Sequence, residues 1–338
     1  NSFSLNQAAL VLENAPKPEA GKRWGARLDL QWGQATQTLQ GNAANEPRPD
    51  IYRNIFQAYG TYVAPLGSGL TLDFGKWASS LGYEGNYSKD QINYSRAFWF
   101  SFLPFYHMGL RANYNINDRF GVHYWITNGT QQTEAFNEFK DESAGLSWQP
   151  RKSINWTLNY YVGQEHPDTV YYPNGAPSNL GSLPAQQGVP FMPIPNPPRG
   201  KLHIWDTYAT WQASPALMFV GEADWVLERE YTNSRPAHAS GGALYARYQV
   251  NPKWAIAARA EYLSDRGGLF SGTTQALKET TFTGEYKIAD GFLARLEFRR
   301  DFSNQPYFYS SVLNRLKREQ NTAGIGLIWW FGGKEGSW

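Results

Sequence analysis

The chain has 338 residues, a formal net charge of +2 and no cysteine, and aromatic residues make up 16% of it. The aromatic content excludes intrinsic disorder, and the lack of cysteine excludes disulfides and thiolate metal sites. The near-neutral charge gives no support for nucleic-acid binding, and no apolar run approaches the roughly 18 residues that a membrane-spanning helix needs.

Apolar and polar residues alternate along most of the chain, a pattern typical of strands with one apolar and one polar face. In the segment from Trp24 to Trp32, for example, every second residue is apolar and Arg27 and Asp29 lie on the other face. No amphipathic helix of convincing length interrupts the pattern. The predicted strands, in chain order, are residues 3–12, 23–33, 53–64, 69–77, 107–116, 119–128, 143–149, 154–163, 201–212, 216–227, 240–250, 254–263, 277–288, 291–300 and 320–331.

Short and long connections alternate between these strands. Turns rich in Gly, Pro, Asn, Asp or Ser separate one pair of strands, and a longer polar segment separates the next. All tight turns therefore lie at one end of the sheet and all long loops at the other, which is the layout of an outer-membrane barrel with short periplasmic turns and long extracellular loops. The two most prominent loops are residues 78–106 and 163–200.

A soluble sandwich or barrel would also show alternation, but two features disfavour it. Tryptophans on the apolar faces cluster near strand ends, as in the aromatic girdles of membrane barrels, and they are Trp24, Trp32, Trp148, Trp211, Trp225, Trp254 and Trp329. The polar faces carry charges that only a watery interior tolerates. The predicted fold class is all-β: a transmembrane antiparallel up-and-down β-barrel that forms a single domain over residues 1–338.

The even strand number of bacterial barrels predicts one strand more than the alternation shows. Typical bacterial barrels have an even number of strands, whereas the alternation gives about fifteen. Either residues 3–12 are not a membrane strand, or a strand that precedes Asn1 is missing from this chain. We expect the second, and hence a barrel of about sixteen strands with a range of 14–16.

Parity along the strands also predicts which charged side chains line the interior. Two interpretations of this set remain open: a basic ladder that guides an anionic solute, or a network of ion pairs that neutralise one another and brace the wall. The predicted pore-lining residues are Arg27, Asp29, Asp73, Arg111, Arg247, Arg259, Glu261, Glu285, Arg295, Glu297 and Arg299.

The two long loops are candidates for constricting the interior. Residues 163–200 are rich in proline, and 169–198 carry no charge, so we expect this loop to fold over or into the barrel mouth rather than extend into water. Residues 78–106 carry a run of aromatic residues and are the alternative.

No motif in the sequence predicts catalysis, a cofactor or a metal site. The histidines form no close ligand pair, and His123 and His203 are predicted to be solvated residues of the polar, interior face. A catalytic triad at the rim would need a Ser/His/acid set for which the few histidines give no clear candidate.

Several stretches resemble the OmpL-like outer-membrane β-barrel porins of Gram-negative bacteria. The similar segments are residues 3–13 (FSLNQAALVLE), 25–33 (GARLDLQWG), 70–76 (LTLDFGK), 81–84 (LGYE), 93–96 (NYSR) and 104–109 (PFYHMG). The resemblance implies a porin, and in that family the first of these segments usually follows another strand.

We therefore expect an outer-membrane porin that acts as a passive diffusion channel for small hydrophilic solutes. The alternative is a structural sheath that holds an electron-transfer protein or a lipoprotein in the outer membrane, which would need an unobstructed lumen. A barrel enzyme is a third, less favoured hypothesis. Expected partners are outer-membrane lipid and lipopolysaccharide and small solutes, with a homo-oligomer or a partner protein at the loop face left open, and no nucleic acid.

Overall fold

One antiparallel sheet of fifteen strands forms the body of the structure. The computed structural model describes residues 3–39, 46, 48–171 and 191–333. Each strand pairs with its neighbours in sequence order, so the sheet is an up-and-down meander. The strands are β1 (Ala8–Asn14), β2 (Trp24–Trp32), β3 (Ile55–Ala64), β4 (Leu70–Ala78), β5 (Tyr106–Asn117), β6 (Phe120–Thr127), β7 (Asp141–Arg151), β8 (Ile154–Gly163), β9 (Leu202–Gln212), β10 (Leu217–Glu228), β11 (Ala237–Gln249), β12 (Trp254–Arg266), β13 (Gln275–Ala289), β14 (Phe292–Ser303) and β15 (Glu319–Trp329).

Helices are short and lie in the connections. They are two 3-10 turns, Pro18–Ala20 and Ser88–Asp90, and the α-helices α1 (Gln34–Leu39), α2 (Pro49–Tyr52) and α3 (Phe98–Phe102). Within the described residues, no helix has the length and apolar character needed to cross a membrane. Two small hairpins, Thr169–Tyr171 with Phe191–Pro193 and Phe308–Ser310 with Arg315–Lys317, also lie in the long connections.

The two faces of the sheet differ as the alternation predicts. On one face, which we call the bare face, apolar side chains are exposed in mid-strand, among them Phe74, Leu244 and Leu296. The tryptophans predicted to form girdles all have exposed side chains there, with 40 to 73% of their surface accessible. A soluble protein does not leave an apolar face of this size exposed to water. In a membrane barrel, lipid covers such a face.

The first strand begins later than predicted. Alternation places it at residues 3–12, whereas β1 runs from Ala8 to Asn14. The carbonyls of Leu5 and Asn6 accept hydrogen bonds from the backbone N–H groups of Gln34 and Ala35, at 3.2 and 2.8 Å. Residues 3–7 therefore leave the ladder because they supply acceptors to the first turn of α1, whose N–H groups have no partner within the helix.

The sheet curls until its two ends approach one another. The side-chain Nδ2 of Asn6, just before β1, donates to the Tyr94 hydroxyl at 2.6 Å, while the Tyr94 backbone N–H donates to Glu297 of β14 at 2.6 Å. The ring of Tyr94 also lies against Gly326 of β15, where any Cβ atom would clash with it. A single residue thus contacts both ends of the sheet, which agrees with the predicted barrel.

Fifteen antiparallel strands leave β1 and β15 running in the same direction, and within the described ranges no backbone ladder joins them. The sixteenth strand, expected to precede Asn1, stays a prediction.

Candidate functional site

The long connection between β4 and β5 does not extend away from the sheet but lies against its concave side. We call residues 79–105 the inner loop, and the side of the sheet that it contacts the covered face. Tyr87 of the loop donates to Asp29 of β2 at 2.6 Å, and the amide of Asn86 donates to Gln31 at 2.6 Å. Other parts of the loop bond to strands as far along the sheet as β14. The inner loop therefore bridges the interior from one side to the other.

Carboxylates of the wall hold the backbone of the inner loop. Glu297 accepts the N–H groups of Tyr94 and Ser95 at 2.6 and 2.8 Å. Glu261 accepts those of Phe98 and Trp99, both at 2.7 Å, at the start of α3. Each carboxylate thus accepts hydrogen bonds from two consecutive amide groups of the inner loop. Hydrogen bonds to a charged acceptor are among the stronger ones in proteins.

Arginines of the wall hold the loop's carbonyl oxygens. Arg295 donates to the carbonyls of Ser88 at 2.8 Å and Gln91 at 2.6 Å, and Arg299 donates to that of Arg96. Arg259 is completely buried and joins the carbonyl of Ser95 at 2.8 Å. The planar guanidinium group suits this task because it offers several donors in a fixed geometry. Donors and acceptors of the wall therefore match those of the loop from Ser88 to Trp99.

An apolar cluster fixes the same loop to the ends of the strands nearest the long loops. Trp99, Leu81 and Leu103 of the inner loop are buried against the wall. The wall side chains of this cluster face the interior and are Leu202, Ile204, Val226, Leu263 and Leu277. Burial of a Trp or Leu side chain contributes about 1.5–3 kcal/mol, so this end of the interior is packed rather than water-filled.

A cavity of about 1050 Å³ lies beside this packed region. Its lining mixes charge and aromatic surface and includes Glu165, Arg96, Arg299, Phe100 and Thr322. The Arg96 guanidinium donates to the carbonyls of Gly85, Tyr94 and Asn86 at 2.9 to 3.0 Å. Burial lowers the pKa of Arg96 to about 10, so this side chain remains charged at neutral pH.

Nearer the short turns, the covered face presents ion pairs, and one of their arginines, Arg295, also contacts the inner loop. Arg111 pairs with Asp73 at 2.9 Å, and Glu285 bridges Arg247 and Arg295, both at 2.8 Å. The arginine is the more accessible partner in two of these pairs: side-chain exposure is 19% for Arg111 against 5% for Asp73, and 29% for Arg247 against 15% for Glu285. Water or a solute in this region therefore meets more guanidinium than carboxylate surface.

The family model described as "Putative beta-barrel porin-2, OmpL-like" matches residues 1–331. The chain belongs to this family of outer-membrane porins. The porin fold, the transmembrane β-barrel and the location in the bacterial outer membrane, all predicted from the sequence, are thereby confirmed. No curated protein sequence matches the chain significantly.

Solved structures of outer-membrane proteins share the porin's fold at low sequence identity. A loop-deletion mutant of the Vibrio cholerae outer-membrane protein OmpT superposes with a TM-score of 0.58 at 11% identity, covering 96% of this chain and 90% of that one. The channel DcaP of Acinetobacter baumannii gives 0.55 at 9%, covering 96% and 84%. An anion-selective porin from Comamonas acidovorans gives 0.55 at 7%, covering 94% and 83%. At these identities the likeness shows the fold alone.

The structure places all charged residues of the predicted set on the covered face of the porin, and it pairs every arginine among them. Each of Arg27, Arg111, Arg247, Arg259, Arg295 and Arg299 has a carboxylate oxygen within 2.5 to 2.9 Å. Of the two interpretations left open by the sequence, the arrangement favours the network of ion pairs. Glu261 and Glu297 lie outside this network of ion pairs, because they accept hydrogen bonds from loop amides. The pore-lining role of the set stays a prediction.

Sequence reasoning missed several members of this network. Arg259 pairs with Glu279 of β13 and with Glu84 of the inner loop, at 2.5 and 2.7 Å. Arg299 pairs with Asp301, which lies just past the predicted end of its strand. Glu279 has the same parity as the predicted Glu285, so the alternation alone contained the signal, whereas nothing in the sequence pointed to Glu84.

The prediction for His203 is wrong, while His123 does lie on the covered face. His203 lies on the bare face, where its ring stacks with Trp205 and its Nδ1 is 2.8 Å from the Tyr160 hydroxyl. The parity rule fails here because Leu202 and Ile204 belong to the apolar cluster under the inner loop. At this end of β9 both faces carry apolar side chains, and polarity no longer distinguishes inside from outside.

The prediction for the proline-rich loop lies mostly outside the described residues. Its central part, residues 172–190, is not described, and its described ends form the hairpin of Thr169–Tyr171 with Phe191–Pro193. The alternative, residues 78–106, does fold inward. Its contacts with wall carboxylates could not be read from its aromatic run.

One serine–histidine contact bears on the enzyme hypothesis. His107 Nε2 lies 3.0 Å from Ser79 Oγ, and its Nδ1 lies 3.2 Å from the carbonyl of Gly129. The imidazole is completely buried, and the third group is a carbonyl instead of the carboxylate of a catalytic triad. This pair is a structural contact that ties β5 to the start of the inner loop.

Proposed function

We propose that this porin is a passive diffusion channel for small hydrophilic solutes, whose path is set by the inner loop. The observation that supports the proposal is the double attachment of that loop. Glu261 and Glu297 hold its amides, and Arg295 holds its carbonyls, so a rigid segment narrows a charged interior. The predicted pore-lining residues are then of two kinds, those that fix the loop and those that face the remaining space.

We further propose a mild preference for anions. Arg111 and Arg247 are the accessible partners of their ion pairs, so a passing solute meets a positive surface whose field the paired carboxylates only partly cancel. One structural neighbour, the porin from Comamonas acidovorans, is anion-selective, which is compatible with this proposal. Because each arginine remains paired, we expect the preference to be modest.

The channel proposal is tested in a planar lipid bilayer. The purified porin should form ohmic channels, and under a salt gradient the reversal potential should have the sign expected for anion preference. Replacing both Arg111 and Arg247 by Gln should move the reversal potential towards cation preference. Glu319→Gln serves as the control, because it alters an exposed ion pair with Arg300 outside the interior.

Loosening the inner loop tests its role separately. In the double variant Glu261→Gln and Glu297→Gln the neutral amides accept the loop N–H groups more weakly, so we expect a larger or noisier single-channel conductance than in Glu319→Gln. An unchanged conductance would remove the inner loop from the solute path, even if the porin conducts.

A sheath around a partner protein is the alternative function. It needs an unobstructed lumen, and the inner loop crosses the interior, which argues against it. Absence of any channel activity in the bilayer would revive this alternative. We also propose that the protein is not an enzyme, since the Ser79–His107 contact, the one serine–histidine hydrogen bond found in the described part of the chain, is buried.

A further inference from the structure

Three acidic side chains meet on the covered face of β9 and β10. Asp206 and Asp224 are directly opposite one another in the ladder, and Glu222 lies two residues before Asp224 on the same side of the strand. One oxygen from each of the three lies within 4.8 Å of the others, and all three side chains are buried. Like charges placed directly opposite in a sheet repel each other, so this arrangement needs a compensating group.

Arginines compensate several other carboxylates of the wall but not these. Asp29, Asp73, Glu279, Glu285 and Asp301 each pair with an arginine. Within the described residues, no lysine, arginine or histidine forms an ion pair with Asp206, Glu222 or Asp224. Glu84 and Glu261 add further negative charge near Glu222.

Asp224 provides the second observation. Its side chain is 4% exposed, and neither of its oxygens accepts a hydrogen bond from a protein donor in the described structure. Oδ1 of Asp206, a residue that is 1% exposed, lacks a donor as well. Buried polar atoms almost always have a partner, so three carboxylate oxygens without a donor in one cluster point to a site for a positively charged ligand.

We propose that Asp206, Glu222 and Asp224 bind a divalent cation, with Ca²⁺ as the best fit. Hard cations take carboxylate oxygens, and Ca²⁺ does so at about 2.3–2.6 Å, so two of its ligands lie up to about 5.2 Å apart. The spacing of the three oxygens fits that limit. Mg²⁺ demands near-ideal octahedral geometry and usually keeps several waters, so a buried cluster of protein carboxylates suits it less well.

The cation would also strengthen the attachment of the inner loop. Glu222 Oε1 accepts the N–H of Tyr83 at 2.9 Å. Asp206 accepts from Asn159, whose amide also donates to the carbonyl of Ser80 in the inner loop at 3.1 Å. The carboxylates that hold the cation therefore also hold the first part of the loop. The site does not depend on solute passage, so its test can succeed or fail independently of the channel proposal.

The test measures metal binding directly on the whole porin, unfolded in urea and refolded in detergent with EDTA. After removal of EDTA, titration with CaCl₂ in a calorimeter should show one equivalent bound per chain. TbCl₃ should give luminescence that CaCl₂ reverses, because two tyrosine rings lie close enough to the site to sensitise bound Tb³⁺. Tyr245 donates to Glu222 at 3.2 Å, and its ring centroid is 5.1 Å from that of Tyr83. MgCl₂ should compete more weakly than CaCl₂.

Asp224→Asn should lose the calcium equivalent and the luminescence, whereas Glu319→Gln should retain both. Calcium should raise the thermal unfolding temperature of the wild type above its value in EDTA but leave that of Asp224→Asn unchanged. Folding of each variant is checked by its mobility on a gel without heating. If Asp224→Asn does not fold, Glu222→Gln and the comparison of the wild type with and without calcium provide the same readouts.

The competing explanation is a proton shared between the facing carboxyl groups. In that case calcium would neither bind nor stabilise the wild type, and Asp224→Asn would match or exceed its stability in EDTA. Either this result or equal binding by wild type and Asp224→Asn would overturn the proposal.

Discussion

Arg259 shows how much of the interior depends on single residues. Its side chain is fully buried and joins Glu279 of the neighbouring strand to Glu84 and Ser95 of the inner loop. A buried ion pair is weak evidence for net stabilisation, but removal of one partner leaves an uncompensated buried charge. In this porin Glu84 would lose its arginine, and Glu279 would lose the nearer of its two arginines.

We expect Arg259→Met to lower the free energy of unfolding by about 3–5 kcal/mol, the usual cost of breaking a buried pair. Arg300→Met is the matched control, since Arg300 forms an ion pair with Glu319 in which both side chains are about half exposed, and such pairs contribute about 0–1 kcal/mol. Urea titrations in lipid vesicles give both values. Equal shifts in the two variants would contradict the role assigned to Arg259.

Strands are the elements that the sequence predicted well. Alternation recovered all fifteen, because lipid on one side and a polar interior on the other impose opposite demands on successive residues. The prediction failed where that contrast disappears. Residues 3–7 leave the ladder to supply acceptors to α1, and His203 lies beside inward-facing Leu202 and Ile204.

The contacts that wall side chains make on the covered face were harder to predict than the strands. Parity placed Glu261 and Glu297 inside correctly, but their acceptor role depends on a loop more than 160 residues away in sequence. No local pattern records such a contact. The same limit hid Glu84, whose charge matters only once the inner loop has folded inward.

The bare face predicts that the cost of introducing a charge depends on its position along a strand. Leu244, in the middle of β11, is 69% exposed, so Leu244→Arg should destabilise the porin in vesicles by about 2–4 kcal/mol, as for a charge at the bilayer midplane. Leu66, in the turn between β3 and β4, is similarly exposed at 57%, yet Leu66→Arg should cost only about 0–1 kcal/mol. Refolding into vesicles of defined lipid measures both, and a cost independent of depth would argue against lipid on this face.

At the scale of the whole molecule, the fold is a sheet whose ends approach around Tyr94 without a ladder between them in the described residues. The inner loop holds the ends near each other through Tyr94 and also through Ser88, which bonds to Gln7 beside β1 and to Arg295 of β14. Closure by a further antiparallel strand would satisfy the free edges of β1 and β15, as edge strands otherwise expose unpaired N–H groups.

Hydrogen exchange distinguishes free edges of β1 and β15 from paired ones. In this chain, amides of β15 that do not bond to β14 should exchange faster than those of β12 and β13, which have neighbours on both sides. Mass spectrometry of peptides from the exchanged porin measures the rates. Strong protection of both β1 and β15 in this chain would show that they pair directly, in parallel, and that no sixteenth strand is needed.

The inner loop also sets an order of events during biogenesis. It belongs to the first third of the chain, yet Tyr83 binds Glu222, Tyr94 binds Glu297 and Ser88 binds Arg295, at sequence separations of 139, 203 and 207 residues. Contacts this distant form late. In a growing barrel the inner loop must therefore stay hydrated and without its wall contacts until the last strands insert. Formation of these contacts then marks the completion of assembly.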